Sequence, residues 1–195
     1  MRNTDGRRDL SLLRSSGSTA RVLNLALAFE RFSRAVIDAV APYVVAVKPQ
    51  IAFFEALGHY GIRALEEVCA YARAADLLVL LDAKRGDIGS TARAYAQAYL
   101  EPPDGLPALA DALTVNPYLG GDSIEPFLTA CRRYGTGIFC LVKTSNSGSA
   151  DIQDAALSDG RPLWHHVAEL VDQWGEDLTG ERGLSSVGAV VGATY

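Results

Sequence analysis

The chain has 195 residues, of which 49% are hydrophobic and 21% are charged, and its formal net charge at pH 7 is −5. This length and composition predict one globular domain with a single sizeable core. The acidic balance, and apolar runs far shorter than the roughly 20 residues of a membrane helix, argue against nucleic-acid and membrane partners and favour a small molecule or another protein.

The first 20 residues read MRNTDGRRDLSLLRSSGSTA and contain no apolar region of the kind that a secretory signal carries. A helical apolar pattern begins only at Arg21. We therefore expect residues 1–20 to form a polar, flexible tail and residues 21–195 to form the folded domain.

After the tail, short aliphatic runs alternate with longer amphipathic stretches. The runs predict five strands, at 43–48, 77–82, 111–116, 137–144 and 186–193. The stretches predict five helices, at 21–41, 51–75, 90–100, 121–135 and 161–178. Because near-continuous apolar strands are buried on both faces, the pattern indicates a parallel sheet covered by crossover helices, which is an α/β fold.

Two α/β architectures compete, an open doubly wound sheet and a (β/α)8 TIM barrel. A doubly wound sheet often binds its ligand through a glycine-rich first turn, and no G-x-G-x-x-G follows any predicted strand here. Barrel enzymes place their chemistry at the C-terminal ends of several strands, and four predicted strands end in polar residues, Lys48, Asp82, Asn116 and Thr144. The barrel is therefore favoured, although a complete one typically has about 250 residues.

Metal ligation and disulfide bonding are not predicted. Cys69, Cys131 and Cys140 are odd in number and lack close metal-ligand spacing, so we interpret them as reduced packing residues, which suits the cytoplasm. His165 and His166 are adjacent and would not share a helix face, which makes them a poor metal pair.

A dense group of charges follows the second predicted strand, in the segment LLVLLDAKRGD. Because strand side chains alternate between faces, Asp82 and Lys84 are expected to point the same way, with Asp87 in the turn that follows. If the strand that ends in Lys48 is the neighbour, two ammonium groups and two carboxylates meet in one pocket. A single charge at a strand end is more often a solvated loop residue, but the combination favours a functional site.

The segment DAKRGDIGSTA resembles the D-x-K-x-x-D-I-G-x-T signature of the orotidine 5′-phosphate decarboxylase family. The similarity continues through VAVKPQIAFFEALG, ALTVNPYLGGDSIEPFL and CLVKTSNSGSADIQD, and it is strongest with the bacterial, mycobacterial-like type 2 branch. Related sugar-phosphate enzymes generally use Mg²⁺ and carry an acidic residue where this chain has Lys48. The resemblance implies a TIM-barrel enzyme that converts orotidine 5′-phosphate to uridine 5′-phosphate without a cofactor or a metal.

The resemblance also implies catalytic roles for charged residues. Lys84 would stabilise the carbanion that forms at C6 of the pyrimidine and then protonate it, and Asp82 would lie beside the departing carboxylate. Lys48 would hold Asp82 and the ribose. Asp87 would complete the set by reaching across a subunit interface to the partner's active site.

Two further residues are implied as substrate-binding residues. Thr91 would join Asp87 in reaching the ribose region of the partner's site, which predicts a homodimer with shared active sites. Ser145 would form a hydrogen bond to the pyrimidine ring. Read without the resemblance, a serine directly after a strand is more often part of a turn.

Parts of the family pattern are not found in the sequence. A first strand ending in aspartate would stand where the chain reads SLLRSSGSTA, and two last strands, with the residues that grip the 5′-phosphate, would follow VVGATY. We therefore expect about five of the eight barrel strands, without the first and the last two. Because binding energy from the remote phosphate serves the chemical step, the alternative is an inert, truncated homologue that acts as a dimerising scaffold or nucleotide-binding remnant.

Overall fold

The structure is a computed structural model and describes residues 16–193. It contains a five-stranded sheet in which all strands are parallel and follow each other in chain order. The strands are β1 (Ala46–Val47), β2 (Leu78–Arg85), β3 (Ala112–Val115), β4 (Gly137–Lys143) and β5 (Val187–Val191). This arrangement confirms the predicted α/β class, since neighbouring parallel strands must be joined by crossover connections.

Helices precede the sheet and form the connections between its strands. They are α1 (Ser16–Val40), α2 (Ile51–Glu55), α3 (Gly58–Ala74), α4 (Gly89–Leu100), α5 (Gly121–Tyr134), α6 (Ala150–Gln153) and α7 (Leu163–Gly175). Short 3₁₀ turns lie at Ala41–Tyr43, Ser147–Ser149 and Glu176–Leu178. Each predicted strand corresponds to an observed one, and the helices differ from prediction at three places: the start of α1, a break between α2 and α3, and the short helix α6, which was not predicted.

The first difference concerns the start of α1. This helix begins at Ser16, five residues before the predicted start at Arg21, so the end of the predicted tail is helical. The first residues of α1 have the sequence SGSTA, which contains no apolar pattern that would predict a helix. The rest of the predicted tail, residues 1–15, lies outside the described residues.

The second difference is a break in the helix predicted at 51–75. Gly58, the first residue of α3, has a φ of 61°, a left-handed conformation that few other residues adopt without strain, and it marks the break between α2 and α3. The two helices then approach closely, because a Cβ atom at Gly61 would overlap the carbonyl oxygen of Phe54. Glycine therefore permits both the turn and the contact.

The core is densest around the three inner strands. Leu81 of β2, Leu113 of β3 and Ile138 of β4 have no exposed surface, and Phe127 of α5 is buried in the same cluster. Full burial of one such side chain stabilises a fold by about 1.5–3 kcal/mol. The C-terminal ends of β2, β3 and β4 are thus held by well-packed residues.

The outer strands are less well covered. Among the described residues, β1 pairs only with β2 and β5 pairs only with β4. Apolar side chains beside these edges are exposed, at 84% for Tyr43, 81% for Val45 and 63% for Val191. An unpaired strand edge with exposed apolar side chains is a surface to which further chain can pair.

The three cysteines are free and buried, as predicted for packing residues. Burial raises the pKa of Cys69 and of Cys140 to about 12, and that of Cys131 to about 11. These thiols therefore remain protonated near neutral pH, which makes them unreactive. In the part of the chain that the structure describes, no helix combines the length and apolar character needed to cross a membrane.

Candidate active site

A cleft of about 470 Å³ lies at the C-terminal ends of the strands. Its polar lining comes from four strand ends, the loop after β4 and α6. These residues are Lys48, Asp82, Lys84, Thr114, Thr144, Ser145, Asn146 and Gln153. Four of the residues predicted for the site, Lys48, Asp82, Lys84 and Ser145, are thereby brought together.

The charged end of β2 is a bulge rather than a regular strand. The pairing of β2 with β3 shifts register between Leu81 and Arg85, and within this interval Lys84 has a left-handed φ of 49°. A left-handed conformation costs a residue with a Cβ atom roughly 1–2 kcal/mol. Asp82 and Lys84 do reach the same cleft, as predicted, but the bulge brings them there in place of simple alternation.

The two charges at this bulge form a direct ion pair. Lys84 Nζ lies 2.5 Å from Asp82 Oδ1. The hydroxyl of Thr114 donates a hydrogen bond to the same carboxylate oxygen at 2.9 Å, and Gln50 Nε2 donates to Oδ2 at 2.9 Å. The carboxylate is therefore held at both oxygens, by groups from the segments on either side of β2.

These contacts set the ionisation of Asp82. Burial acts to raise the pKa of this carboxyl, but hydrogen bonds from Lys84 and Thr114 and the charges of Lys84 and Lys48 outweigh it, so that the pKa is lowered. Asp82 is consequently an anion at neutral pH, and it keeps a fixed negative charge beside the ammonium of Lys84.

Lys48 lies in the same cleft but is not bonded to Asp82. No ion pair within 4 Å joins the two among the described residues, and the charge of Lys48 acts on the carboxylate through space. The partner of Asp82 on this side is Gln50, which also forms an isolated parallel bridge to it. The ammonium of Lys48 thus contributes to the positive potential of the cleft.

Asp87 and Thr91 lie outside the lining of this chain's own cleft. Asp87 Oδ1 accepts a hydrogen bond from the backbone N–H of Ile88 at 2.7 Å, in the turn that leads into α4. Thr91 is exposed in the first turn of that helix. Their predicted role at a partner's site stays a prediction.

The loop after β4 carries Ser145 into the cleft, and side-chain hydrogen bonds and an ion pair hold this loop in place. The backbone N–H of Thr144 donates to Gln153 Oε1 at 2.9 Å, and Gln153 Nε2 donates to the hydroxyl of Thr144 at 2.8 Å. One residue earlier, the buried Lys143 forms an ion pair with Asp154 at 2.6 Å. The position of Ser145 therefore depends on side chains of α6 and the residue that follows it.

Arg85 points away from the cleft and serves the fold. Its guanidinium pairs with Glu55 of α2, contacts the hydroxyl of Tyr99 at 3.4 Å and lies over the ring of Tyr95. Burial acts to lower the pKa of Arg85, but its bonds to Tyr99 and Glu55 raise it overall. The residue anchors the end of β2 between α2 and α4.

Sequence reasoning missed Gln50, Thr114 and Gln153. Thr114 had a usable signal, because it is a hydroxyl-bearing residue inside the buried strand ALTV. Gln50 follows Lys48 by two residues, at a spacing that places both on one face of an extended segment. Gln153 gave no signal, since its contact with Thr144 depends on how the loop folds back.

Metal ligation finds no support in the described residues. Among them, no group of three or more His, Cys, Asp or Glu side chains is placed to hold a metal ion. His165 and His166 both lie near Glu169, at 3.5 and 3.7 Å, on the outer surface of α7. The charged groups of the cleft are the ammonium groups of Lys48 and Lys84 and the carboxylate of Asp82.

Comparison with known families gives one consistent match. The family model described as orotidine 5′-phosphate decarboxylase / HUMPS family matches residues 23–195. A protein of Rhodopirellula baltica named orotidine 5′-phosphate decarboxylase is 51% identical over 185 residues, which is 94% of this chain and 61% of that protein. A protein of the same name from Deinococcus radiodurans is 52% identical over 160 residues, 82% of this chain and 56% of that protein.

Solved structures give the same result. The structure of Leishmania donovani OMP decarboxylase superposes with a TM-score of 0.72 at 40% identity, and the match covers 87% of this chain and 61% of that one. Leishmania donovani UMP synthase matches with a TM-score of 0.71 at 39% identity, over 87% of this chain and 35% of that one. The chain therefore spans about 60% of the curated relatives it matches, and its five strands form part of a TIM-barrel fold.

Proposed function

Because the chain belongs to the orotidine 5′-phosphate decarboxylase / HUMPS family, we propose that it carries the catalytic rim of an enzyme that decarboxylates orotidine 5′-phosphate to uridine 5′-phosphate. The observation that carries the proposal is the ion pair of Lys84 with Asp82 in the cleft at the strand ends. Lys48 adds a second ammonium to this cleft, in keeping with a cofactor-free reaction on an anionic substrate.

The proposed reaction follows from these groups. The bond between C6 and the carboxylate carbon breaks, carbon dioxide leaves, and the electron pair stays on C6. The ammonium of Lys84 stabilises this charge as it develops and then transfers a proton to C6, which gives the product and a neutral lysine. Asp82 holds the ammonium of Lys84 through their ion pair and lies beside the departing carboxylate.

The remaining predicted residues complete the proposal. Ser145 hydrogen-bonds the pyrimidine ring from the loop after β4. Asp87 and Thr91 act at the site of a second copy, so the enzyme is a homodimer. Support comes from their position, since both lie near the start of α4 and outside the cleft of their own chain. The three buried free thiols fit a cytoplasmic protein.

Lys84→Ala tests the proposed function. We expect its turnover of orotidine 5′-phosphate to fall by at least about a thousandfold, because the variant loses both electrostatic stabilisation and the proton donor. Binding of uridine 5′-phosphate, measured by calorimetry, should remain measurable. Arg93→Ala, which removes an exposed cation outside the cleft, is the control and should keep the unsubstituted rate.

Near-normal turnover by Lys84→Ala would contradict the assignment of this residue. An unsubstituted chain that binds uridine 5′-phosphate but has no turnover would support the alternative of an inert, nucleotide-binding homologue. Growth of a pyrimidine-requiring strain that expresses the chain is a second test, because folding, assembly and catalysis must all succeed.

A further inference from the structure

We propose that Thr114 is a positioning residue that holds the reacting pair of the cleft in place through a single hydroxyl. The proposal rests on the proposed function for its catalytic meaning, while its geometric part concerns this chain alone. Thr114 lies in β3, next to the bulge of β2, and only 4% of its surface is exposed. It is therefore shielded from the water that could otherwise replace its bonds.

The hydroxyl of Thr114 takes part in three hydrogen bonds, each 2.9 Å long. Its oxygen accepts from the backbone N–H groups of Ala83 and Lys84, and its proton goes to Oδ1 of Asp82. A hydroxyl has one donor and two acceptor lone pairs, so all of its capacity is used. Because two of its three neighbours can only donate, the proton must point at the carboxylate.

These bonds compensate for the interrupted pairing of β2 with β3. The register shift between Leu81 and Arg85 leaves the N–H groups of the bulge without the regular partners of a parallel ladder. The Thr114 oxygen accepts from both. It thereby stabilises the left-handed conformation of Lys84, which directs the ammonium of that residue back toward Asp82.

The same hydroxyl also fixes the carboxylate. It binds Oδ1, the oxygen that faces Lys84, while Gln50 binds Oδ2 from the opposite neighbouring segment. Removing Thr114 would leave Asp82 free to turn about the remaining bonds to Gln50 and Lys84. We therefore expect loss of the hydroxyl to change how Asp82 and Lys84 face each other while substrate contacts through Ser145 are retained.

Thr114→Val and Thr114→Ser form the test. Valine keeps the shape of threonine and removes the hydroxyl, whereas serine keeps the hydroxyl. Thr136→Val, at a buried threonine directly before β4 and away from the cleft, is the control for the loss of a buried hydroxyl. Each protein is examined by NMR titration of the Asp82 carboxyl, by hydrogen exchange of the Ala83 and Lys84 amides, and by steady-state kinetics.

In Thr114→Val we expect the pKa of Asp82 to rise, because the carboxylate loses one of the hydrogen bonds that lower it. We expect faster exchange of both amides. We also expect a loss of kcat of about ten- to a hundredfold with little change in KM, since a hydrogen bond to a charged group is removed. Thr114→Ser should restore all three properties, and Thr136→Val should leave them unchanged.

An unchanged Asp82 titration and unchanged amide exchange in a folded Thr114→Val variant would overturn the proposal. If that variant does not fold, exchange in the unsubstituted chain decides, because unprotected Ala83 and Lys84 amides contradict the proposed bonds. An unsubstituted chain without turnover contradicts the proposed function but leaves the NMR results to judge the inference.

Discussion

The ends of β2 and β4 both deliver functional side chains to the cleft, but they do so by different means. At the end of β2, a strained backbone carries Lys84 and Asp82, and a buried hydroxyl from the neighbouring strand holds the bulge. At the end of β4, an exposed loop carries Ser145, and side chains of α6 and the following residue brace it. The difference matches the demands of the proposed roles, since proton transfer needs fixed geometry and contact with a ring tolerates adjustment.

Gly86→Ala tests the rigidity of the end of β2 and should have the largest effect. A Cβ atom at this position would lie 2.7 Å from the backbone oxygen of Asn116, so the end of β2 would have to move. We expect a loss of unfolding free energy of about 1–3 kcal/mol, as for overpacking elsewhere, together with a lower kcat. Chemical denaturation measures the first quantity and steady-state kinetics the second.

The control for this substitution is Gly180→Ala, where a Cβ atom would be 3.7 Å from its nearest neighbour, an ordinary contact. Its stability should stay near that of the unsubstituted protein. Equal losses of unfolding free energy in Gly86→Ala and Gly180→Ala would show that the close contact at Gly86 does not determine the effect.

A smaller effect is expected from Gly192→Ala, beside the loop after β4 that carries Ser145. The added Cβ atom would lie 3.0 Å from the Cβ atom of Ser145, and the loop can yield by a few tenths of an ångström. We expect a stability loss below about 1 kcal/mol and a KM that rises several-fold with kcat little changed. A loss as large as that of Gly86→Ala would contradict the contrast between a rigid and an adjustable rim.

The smallest effect concerns acid stability. The folded-state pKa of Asp82 is lowered from its ordinary value of 3.8, so its carboxylate stabilises the fold above pH 3.8 and this contribution is lost as pH falls through the lower folded value. As the pH falls below 3.8, the unfolding free energy of Asp82→Asn should therefore decrease less than that of the unsubstituted protein. Denaturation measured as a function of pH checks this.

Asp159 provides the comparison for this experiment. Hydrogen bonds and the charge of Arg161 lower the pKa of this exposed carboxyl as well. High salt should weaken the contribution of Asp159 and largely spare that of Asp82, because exposed charges are screened more strongly than partly buried ones. Equal salt sensitivity of the two stabilising contributions would show that Asp82 is as accessible to solvent as Asp159.

The sequence predicted the sheet because its strands are near-continuous apolar runs, and it predicted the charged end of β2 because Asp82 and Lys84 follow such a run directly. It did not reveal the bulge, since nothing in DAKRGD specifies that Lys84 rather than a glycine adopts a positive φ. The break at Gly58 was missed for a related reason. A glycine inside an amphipathic pattern is compatible with one helix or with two, and the packing of α3 against α2 decides.

The residues of the candidate cleft were predicted where they carry charge and were missed where they support other residues. Lys48, Asp82 and Lys84 stand out because charges at the ends of apolar strands are unusual. Thr114 and Gln153 are ordinary polar residues whose importance comes from partners about 30 and nine positions away. Such partners become apparent only when the register of the strands and the path of the loop are known.

The order of the strands also bears on how the chain folds. Because the order in space repeats the order in sequence, each strand pairs with the next one along the chain; Ala46 pairs with Leu78, and Ala112 with Gly137, across separations of 32 and 25 residues. Each parallel pairing requires a crossover of this length to close before its contacts form, which makes such a sheet slower to fold than a helical bundle. Each helix and its following strand can dock on those already formed, so the sheet can grow one unit at a time while the ribosome still extends the chain.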